Sequence, residues 1–236
     1  MKLTIVQTGA VPGPLQPRFG DYPQMFRRMF ASGGGAFDYD DVDVQAGGGL
    51  PDPAGLEGIV ITGSPAGVYE DHAWLAPLRG FIRQAYAAGT PMLGICFGHQ
   101  IMADALGGEV RKSEKGWGLG RHAYQVRQRP AFLAEAPENL AVACSHQDQV
   151  IVPPATAEVV LASDFAPNAG LLYEGGRALS FQPHPEFEDD YALALVELRR
   201  GRAPDPVIAA AVSSFSTPSD SRHLRRAIVR FFVEAA

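Results

Sequence analysis

An α/β fold is predicted for these 236 residues: an open, mostly parallel twisted sheet with helices on both faces, plus a small antiparallel sheet. Two patterns predict it. Up to Leu106, short apolar runs alternate with amphipathic stretches bounded by Gly and Pro, and such alternation builds a parallel sheet covered on both sides. Beyond Leu106, short apolar and β-branched runs follow one another with only Gly, Pro and Asn turns between them, the spacing of antiparallel strands.

Each element follows from local chemistry. Lys2–Thr8 carries Leu3, Ile5 and Val6 and reads as the first strand. Asp21 caps a helix entered through Pro23; Met25, Phe26, Met29 and Phe30 fall at helical spacing and Gly33 stops it. Phe37–Val44 and Gly58–Thr62 are strands. Trp74–Ala88 is a helix with Trp74, Leu75, Leu78, Phe81, Ile82, Ala85 and Tyr86 on one face, ended by Gly89. The apolar run Thr90–Leu93 is a strand that leads through a sharp turn into the helical stretch Ile101–Leu106. Arg121–Val126, Leu140–Ser145, Val159–Ala162, Leu171–Tyr173 and Ala178–Gln182 are the short strands, with antiparallel pairing expected. Phe187–Arg200, Val207–Phe215 and Ser221–Ala235 are helices, separated by Pro204, Pro206 and Pro218.

At 46% hydrophobic residues the chain can bury one core, so a single domain over 1–236 is expected, with 190–236 as a helical C-terminal extension. The formal charge of −6, without basic clusters, argues against nucleic acid as a partner. Arg199-Arg200-Gly201-Arg202 and the Arg222, Arg225, Arg226 group lie beside predicted helices and read as solvated faces. Gly33-Gly34-Gly35 and Gly47-Gly48-Gly49 lack the Lys-Ser/Thr of a phosphate loop and read as turns, so no nucleotide site is expected. Two cysteines do not make a disulfide framework, which suits a reducing, cytoplasmic compartment. The first residues lack a signal-peptide pattern and no apolar run reaches 18 residues, so neither export nor a membrane span is expected. His72, His122 and His223 have no Cys or Asp at ligand spacing; no metal and no cofactor are expected.

Two segments carry chemistry. Gly94-Ile95-Cys96-Phe97-Gly98-His99-Gln100 puts a cysteine at a strand-to-helix reversal with glycine two residues to either side. Such an elbow strains the nucleophile's backbone and leaves no room for flanking side chains, and a helix N-terminus favours a thiolate. Taken alone, the pattern equally fits a buried cysteine beside packing glycines. Downstream, the short strand Ala178–Phe181 runs into Gln182-Pro183-His184-Pro185-Glu186. His184 and Glu186, two apart, share a face if extended, and a histidine backed by a carboxylate is the base that a cysteine nucleophile requires. Taken alone, that segment equally fits a solvated proline-rich loop. Cys144, beside Ala141-Val142-Ala143, reads as an apolar strand residue, and His99 as structural.

Together the two segments resemble the class I (triad) glutamine amidotransferases, whose signatures are a Gly-x-Cys-x-Gly-x-Gln elbow and a late His-Pro-Glu. Nucleophile and base stand 88 residues apart, as in that family. The likeness extends to Gly63-Ser64-Pro65, where the branch that includes GMP synthases has Gly-Gly-Pro, and to Ser145-His146-Gln147-Asp148-Gln149-Val150, similar to Ser-His-Gly-Asp-x-Val. Ser64 and Gln147 each replace a glycine, and Pro183 stands where an aromatic is usual. The resemblance covers roughly residues 1–190 and implies a flavodoxin-like fold with Cys96, His184 and Glu186 as catalytic triad. It further implies an oxyanion hole from Gly63, Ser64 and Phe97, and substrate contacts from Gln100, His146 and Gln147.

The activity implied is hydrolysis of the glutamine side-chain amide through a cysteine γ-glutamyl thioester. Fifty residues follow Glu186, too few for an ATP-using synthetase domain of ordinary size, which leads to three readings. The leading one is an amidotransferase that delivers ammonia to a separate acceptor-activating synthetase subunit. The second is a self-sufficient γ-glutamyl peptidase acting on γ-glutamyl amides. The third is a degenerate binding or regulatory protein.

Overall fold

The computed structural model describes residues 1–235. The first half runs β1 (Lys2–Gln7), α1 (Gln16–Phe19), α2 (Tyr22–Ser32), β2 (Asp38–Asp43), β3 (Gly58–Ile61), α3 (Leu75–Ala88), β4 (Met92–Ile95) and α4 (Phe97–Ala105). Then come β5 (Glu109–Lys112), β6 (Gly118–Val126), β7 (Asn139–His146), β8 (Asp148–Val152), β9 (Ala157–Ala162), β10 (Gly170–Tyr173) and β11 (Ala178–Phe181). The tail forms α5 (Asp189–Glu197), α6 (Asp205–Ser214) and α7 (Ser221–Ala235). Caps follow the local signals: the Asp21 carboxylate accepts the Gln24 N–H at 2.8 Å, and Gly89 closes α3 in the left-handed region at φ 70°.

Nine strands form one mixed sheet in the order β2-β1-β3-β4-β11-β10-β9-β6-β7. The first five are parallel to one another and the rest continue antiparallel. The short strands of the second half therefore extend the main sheet. β11 joins the halves: it pairs parallel with β4, Ala178 opposite Met92 through Phe181 opposite Ile95, and antiparallel with β10. Left bare, the β4 edge would strand backbone N–H and C=O groups in the middle of the core. The separate small antiparallel sheet is β5 with β8, two strands absent from the sequence-based expectation. Glu-Val-Arg-Lys in β5 and the polar start of β8 present no apolar run to read.

Alternation along the parallel strands divides the core between two faces. Leu3, Ile5, Val60, Leu93, Ile95, Leu179 and Phe181 meet Phe26, Met29 and Phe30 of α2 and Ile228, Phe231 and Phe232 of α7. Val6, Ile59, Ile61, Met92 and Ala178 meet Leu78, Phe81 and Ile82 of α3 and Ile101 and Met102 of α4. Each such large side chain contributes roughly 1.5–3 kcal/mol through burial. Because β3, β4 and β11 are parallel, the loops that follow them emerge at the same end of the sheet, the usual place for a ligand in this architecture. Among the described residues, no helix is long and apolar enough to cross a membrane.

Candidate active site

Cys96 sits between β4 and α4 with φ 55° and ψ −102°, the sole positive φ outside glycine among the described residues. Its N–H donates to Phe181 O at 2.8 Å, which ties the elbow to β11. The glycines on either side are dictated by space. A Cβ at Gly98 would overlap the Ile61 carbonyl oxygen and lie 2.9 Å from its carbon. A Cβ at Gly94 would lie 2.5 Å from the Gly98 carbonyl carbon. Strand β4, helix α4 and the end of β3 therefore approach backbone to backbone, holding the strained cysteine at the helix N-terminus.

The loop after β11 brings His184 and Glu186 to the same place. His184 Nδ1 is 2.7 Å from Glu186 Oε1 and both side chains are buried. With Nδ1 on the carboxylate, Nε2 is left for the thiol; the ring and Cys96 both border Gly63, where a Cβ would lie 3.3 Å from His184 Cε1 and 3.8 Å from Cys96 Cβ. Burial, the strongest influence on the ring, opposes its positive charge. The Glu186 carboxylate and the Cys96 thiol outweigh burial together and hold the His184 pKa above the usual imidazole range. Phe187 stacks on the imidazole, 3.9 Å between centroids and 6° from coplanar, so an aromatic two residues past Pro185 covers the ring. The His184 N–H donates to Ala143 O at 2.8 Å.

Gly63 closes the third side. A side chain there would meet His184 Cε1 at 3.3 Å and Cys96 Cβ at 3.8 Å, so only glycine leaves the pair undisturbed. The Gly63 carbonyl is held by the hydroxyls of Thr8, at 3.3 Å, and Thr62, at 3.2 Å. Ser64 adopts a negative φ, so serine in place of the family's glycine introduces no backbone strain. Its hydroxyl turns away to accept the Ala66 N–H at 3.2 Å. Neither the Ser64 N–H nor the Phe97 N–H donates to a protein acceptor among the described residues. Both backbone donors are thus uncommitted, Phe97 next to Cys96 in the chain and Ser64 in the lining of the same cavity.

Gln100, one turn into α4, donates from Nε2 to Asp148 O at 2.8 Å and to Gln182 Oε1 at 3.1 Å, spanning the elbow helix, β8 and the end of β11. Asp148 O is also 3.1 Å from His146 Nδ1, so that nitrogen carries the proton and donates. Burial, with His122 nearby, lowers the His146 pKa to about 3 and keeps the ring neutral. Its Nε2 is buried without a partner. Gln147 accepts the Ser113 N–H at 2.9 Å through its carbonyl. Cys96, Ser64, Gln100, His146 and Gln147 all line a cavity of about 140 Å³; His184, Gly63 and Phe97 are not in its lining, and Glu186 lines a separate cavity of about 230 Å³ with Met25 and Tyr191. His99 is set apart, fully buried with Nδ1 2.8 Å from Ser180 Oγ; burial lowers its pKa to about 3. Cys144 is buried, its thiol pushed up to about 12 by that burial. No three His, Cys, Asp or Glu side chains among the described residues are placed to hold a metal ion.

Two basic groups depart from the sequence-based expectation of solvated faces. Arg199, just past α5, lines the cavity and lays its guanidinium over Trp117, 5.0 Å from the ring centroid. Arg225 of α7 is buried; it donates to Pro185 O at 2.7 Å and Phe187 O at 3.4 Å, and pairs with Glu188 at 2.8 Å. It clamps the loop that carries His184 and Glu186 by its backbone. Tyr69, Glu70, Lys112 and Asp148 also line the cavity, Tyr69 donating to Asp148 Oδ1 at 3.1 Å. No spacing rule points to these residues, because the elements that bear them meet only in three dimensions.

The family model for glutamine amidotransferase class-I matches residues 39–191. The chain is 28% identical over 187 residues to Gamma-glutamyl peptidase 5 of Arabidopsis thaliana, across 76% of this chain and 73% of that protein. It is 35% identical over 129 residues to a glutamine-hydrolyzing GMP synthase of Aquifex aeolicus (strain VF5), across 55% of this chain and 24% of that protein. A crystal structure of a glutamine amidotransferase from Thermotoga maritima superposes with a TM-score of 0.74 over 98% of both chains at 22% identity, a likeness of fold.

Proposed function

The chain belongs to the class I glutamine amidotransferase family, and from that premise we propose that it hydrolyses a γ-glutamyl amide through a thioester on Cys96. One arrangement carries the reading: a strained cysteine at a helix N-terminus, a histidine that borders Gly63 together with it, and a carboxylate 2.7 Å from that histidine's Nδ1. The Cys96 thiol gives its proton to His184 Nε2 as its sulfur attacks the γ-carbonyl carbon, and the carbonyl electrons move onto oxygen, where the Ser64 and Phe97 N–H groups receive them. One such donor is worth ~2.7–4 kcal/mol of barrier. Collapse breaks the C–N bond while His184 passes its Nε2 proton to the leaving amine. The ring then takes a proton from water, whose oxygen attacks the thioester carbon; the C–S bond breaks, glutamate is released and the ring returns the proton to the Cys96 sulfur. Glu186 holds Nδ1–H throughout and favours the charged ring.

The two functional readings differ in the amine released. In the ammonia-delivering reading it is ammonia, passed to a separate synthetase; in the peptidase reading it is an amino acid or peptide. The second draws support from the 76% of this chain that aligns with a γ-glutamyl peptidase and from a cation, Arg199, in the cavity wall. A comparison of glutamine with γ-glutamyl dipeptides, following ammonia, free amino acid and glutamate, tests the reaction. Release of glutamate from at least one substrate is expected. No release from any, with or without cell extract, overturns the hydrolase reading.

Glu186→Gln should lower kcat/KM by on the order of 10²-fold or more, but less than loss of the thiol, because a mis-oriented base remains beside Cys96. The same variant should change stability in a defined direction. The His184 pKa is raised by folding, so its contribution is full below about pH 6.5 and is lost as pH rises through the folded value. Denaturation midpoints against pH should therefore show a stabilising contribution on the acid side in the parent that shrinks in Glu186→Gln. An unchanged profile would contradict the charge pairing.

Arg225 is expected to act as a positioning residue. Arg225→Met should lower kcat with a smaller change in KM, and Arg225→Lys should restore little, since one ammonium cannot span Pro185 O, Phe187 O and Glu188 together. Wild-type kcat in a folded Arg225→Met protein would refute that role.

A further inference from the structure

We infer that Arg199 is a specificity determinant that binds a carboxylate on the leaving amine, so that the preferred substrates are γ-glutamyl amino acids or peptides. The inference rests on the thioester reaction proposed above and names its substrate class.

Arg199 has the features of a cation held ready for an anion. Its guanidinium carbon lies 5.0 Å from the centroid of Trp117, which itself lines the cavity, and a cation–π contact of this kind restrains the fork. It makes no salt bridge among the described residues. Its neighbour Arg200 pairs with Glu197, Arg121 pairs with Asp189 and Arg225 with Glu188, so the adjacent acids are already taken. Its Nε is buried without a hydrogen-bond partner, an expensive state for a charged group unless a ligand completes it. Its backbone is anchored: the N–H donates to Val196 O at 2.9 Å, and the carbonyl accepts from Arg202 and Ala203, each at 2.9 Å.

Position decides which part of the substrate it meets. Arg199 follows α5, whose Tyr191 packs edge-on against Phe187 at 4.6 Å between centroids, and Phe187 is the ring stacked on His184. Arg199 therefore stands on the His184–Glu186 side of Cys96, where the leaving amine collects its proton. The same cavity holds Glu70, Asp148 and the Tyr69 hydroxyl, acceptors suited to the ammonium of the glutamyl group, and Lys112, in register with Asp148, is a cation suited to its carboxylate. A substrate with its γ-carbonyl on Cys96 and its ammonium toward Asp148 directs its amine portion toward Arg199. Glutamine has only –NH2 there and leaves the guanidinium unpaired; an amino acid or peptide in that place presents a carboxylate. A bidentate Arg–carboxylate pair in a part-buried site is a strong contact.

The decisive pair of substrates is γ-glutamylalanine and γ-glutamylalaninamide, which differ only in that carboxylate. Wild-type protein should prefer the acid by about 10- to 100-fold in kcat/KM, the range expected of a charge-assisted hydrogen bond. Arg199→Gln and Arg199→Met should each collapse that ratio toward one. A ratio near one in the wild type, or one preserved in the variants, overturns the assignment even where both rates fall together; equal losses would place Arg199 on the shared glutamyl part. Binding separates this inference from the reaction itself. Calorimetry with Cys96→Ala protein should show the same preference for γ-glutamylalanine, lost when Arg199→Gln is added. Absence of turnover with the preference present would overturn the hydrolase reading alone. Absence of the preference, or its survival in the double variant, would overturn the role of Arg199 whatever the turnover.

Discussion

Replacing Cys96 with alanine is expected to remove hydrolysis of glutamine and of γ-glutamyl peptides alike, a fall of at least about 10³-fold. In the proposed reaction the thiol supplies the bond-forming electrons, and alanine offers none in its place. The fold should persist: the substitution deletes one sulfur, and alanine faces the same positive φ that cysteine does at 55°. Circular dichroism and the melting temperature should stay close to those of the parent while glutamate release vanishes. A glutamine-mimicking electrophile should label Cys96 and leave Cys144 untouched, since burial pushes the Cys144 thiol up to about 12 and keeps it protonated. Substantial turnover by Cys96→Ala, or labelling at Cys144, would put the chemistry elsewhere.

Gly98→Ala should be the most damaging single methyl group in the protein. The added Cβ would overlap the Ile61 carbonyl oxygen, a backbone atom of a central strand, and neither β3 nor α4 can yield without displacing the elbow. Overpacking of this kind costs roughly 1–3 kcal/mol, and more where backbone must move. Chemical denaturation should show a loss at the upper end of that range. Activity should fall further than stability explains, because a displaced α4 carries the Phe97 N–H away from Cys96. Gly80→Ala provides the control: nothing lies within 4 Å of a Cβ there, in the interior of α3, and alanine should stabilise by about 0.5–1 kcal/mol. A Gly98→Ala protein as stable and active as the parent would show that α4 and β3 are not held as close as the geometry requires.

Most helices and the parallel strands were legible because their signals are local. Asp21 reaches only to Gln24, Gly89 ends α3 through its own backbone, and the apolar spacing of α2 and α3 is contained within each helix. The polar β5 and the start of β8 were not legible, since they pair on the rim of the fold without an apolar run. Nor could local pattern say that β6, β7, β9 and β10 continue the main sheet; the pairing of β11 with both β4 and β10 settles that.

By itself the sequence determined the α/β class, the elbow at Cys96 and the His184–Glu186 pair, for one physical reason. Gly94, Cys96 and Gly98 act within five residues, and His184 and Glu186 within three, so their chemistry is written in their spacing. Only the tertiary structure decided which other groups reach that chemistry. Arg225 meets Pro185 from 40 residues away, the Thr8 hydroxyl reaches Gly63 across 55, and Arg199 lies on Trp117 although α5 and the start of β6 are remote in the chain. In sequence Arg199 and Arg225 are indistinguishable from the exposed arginines beside them, because a charge becomes a site or a solvated surface according to what packs around it.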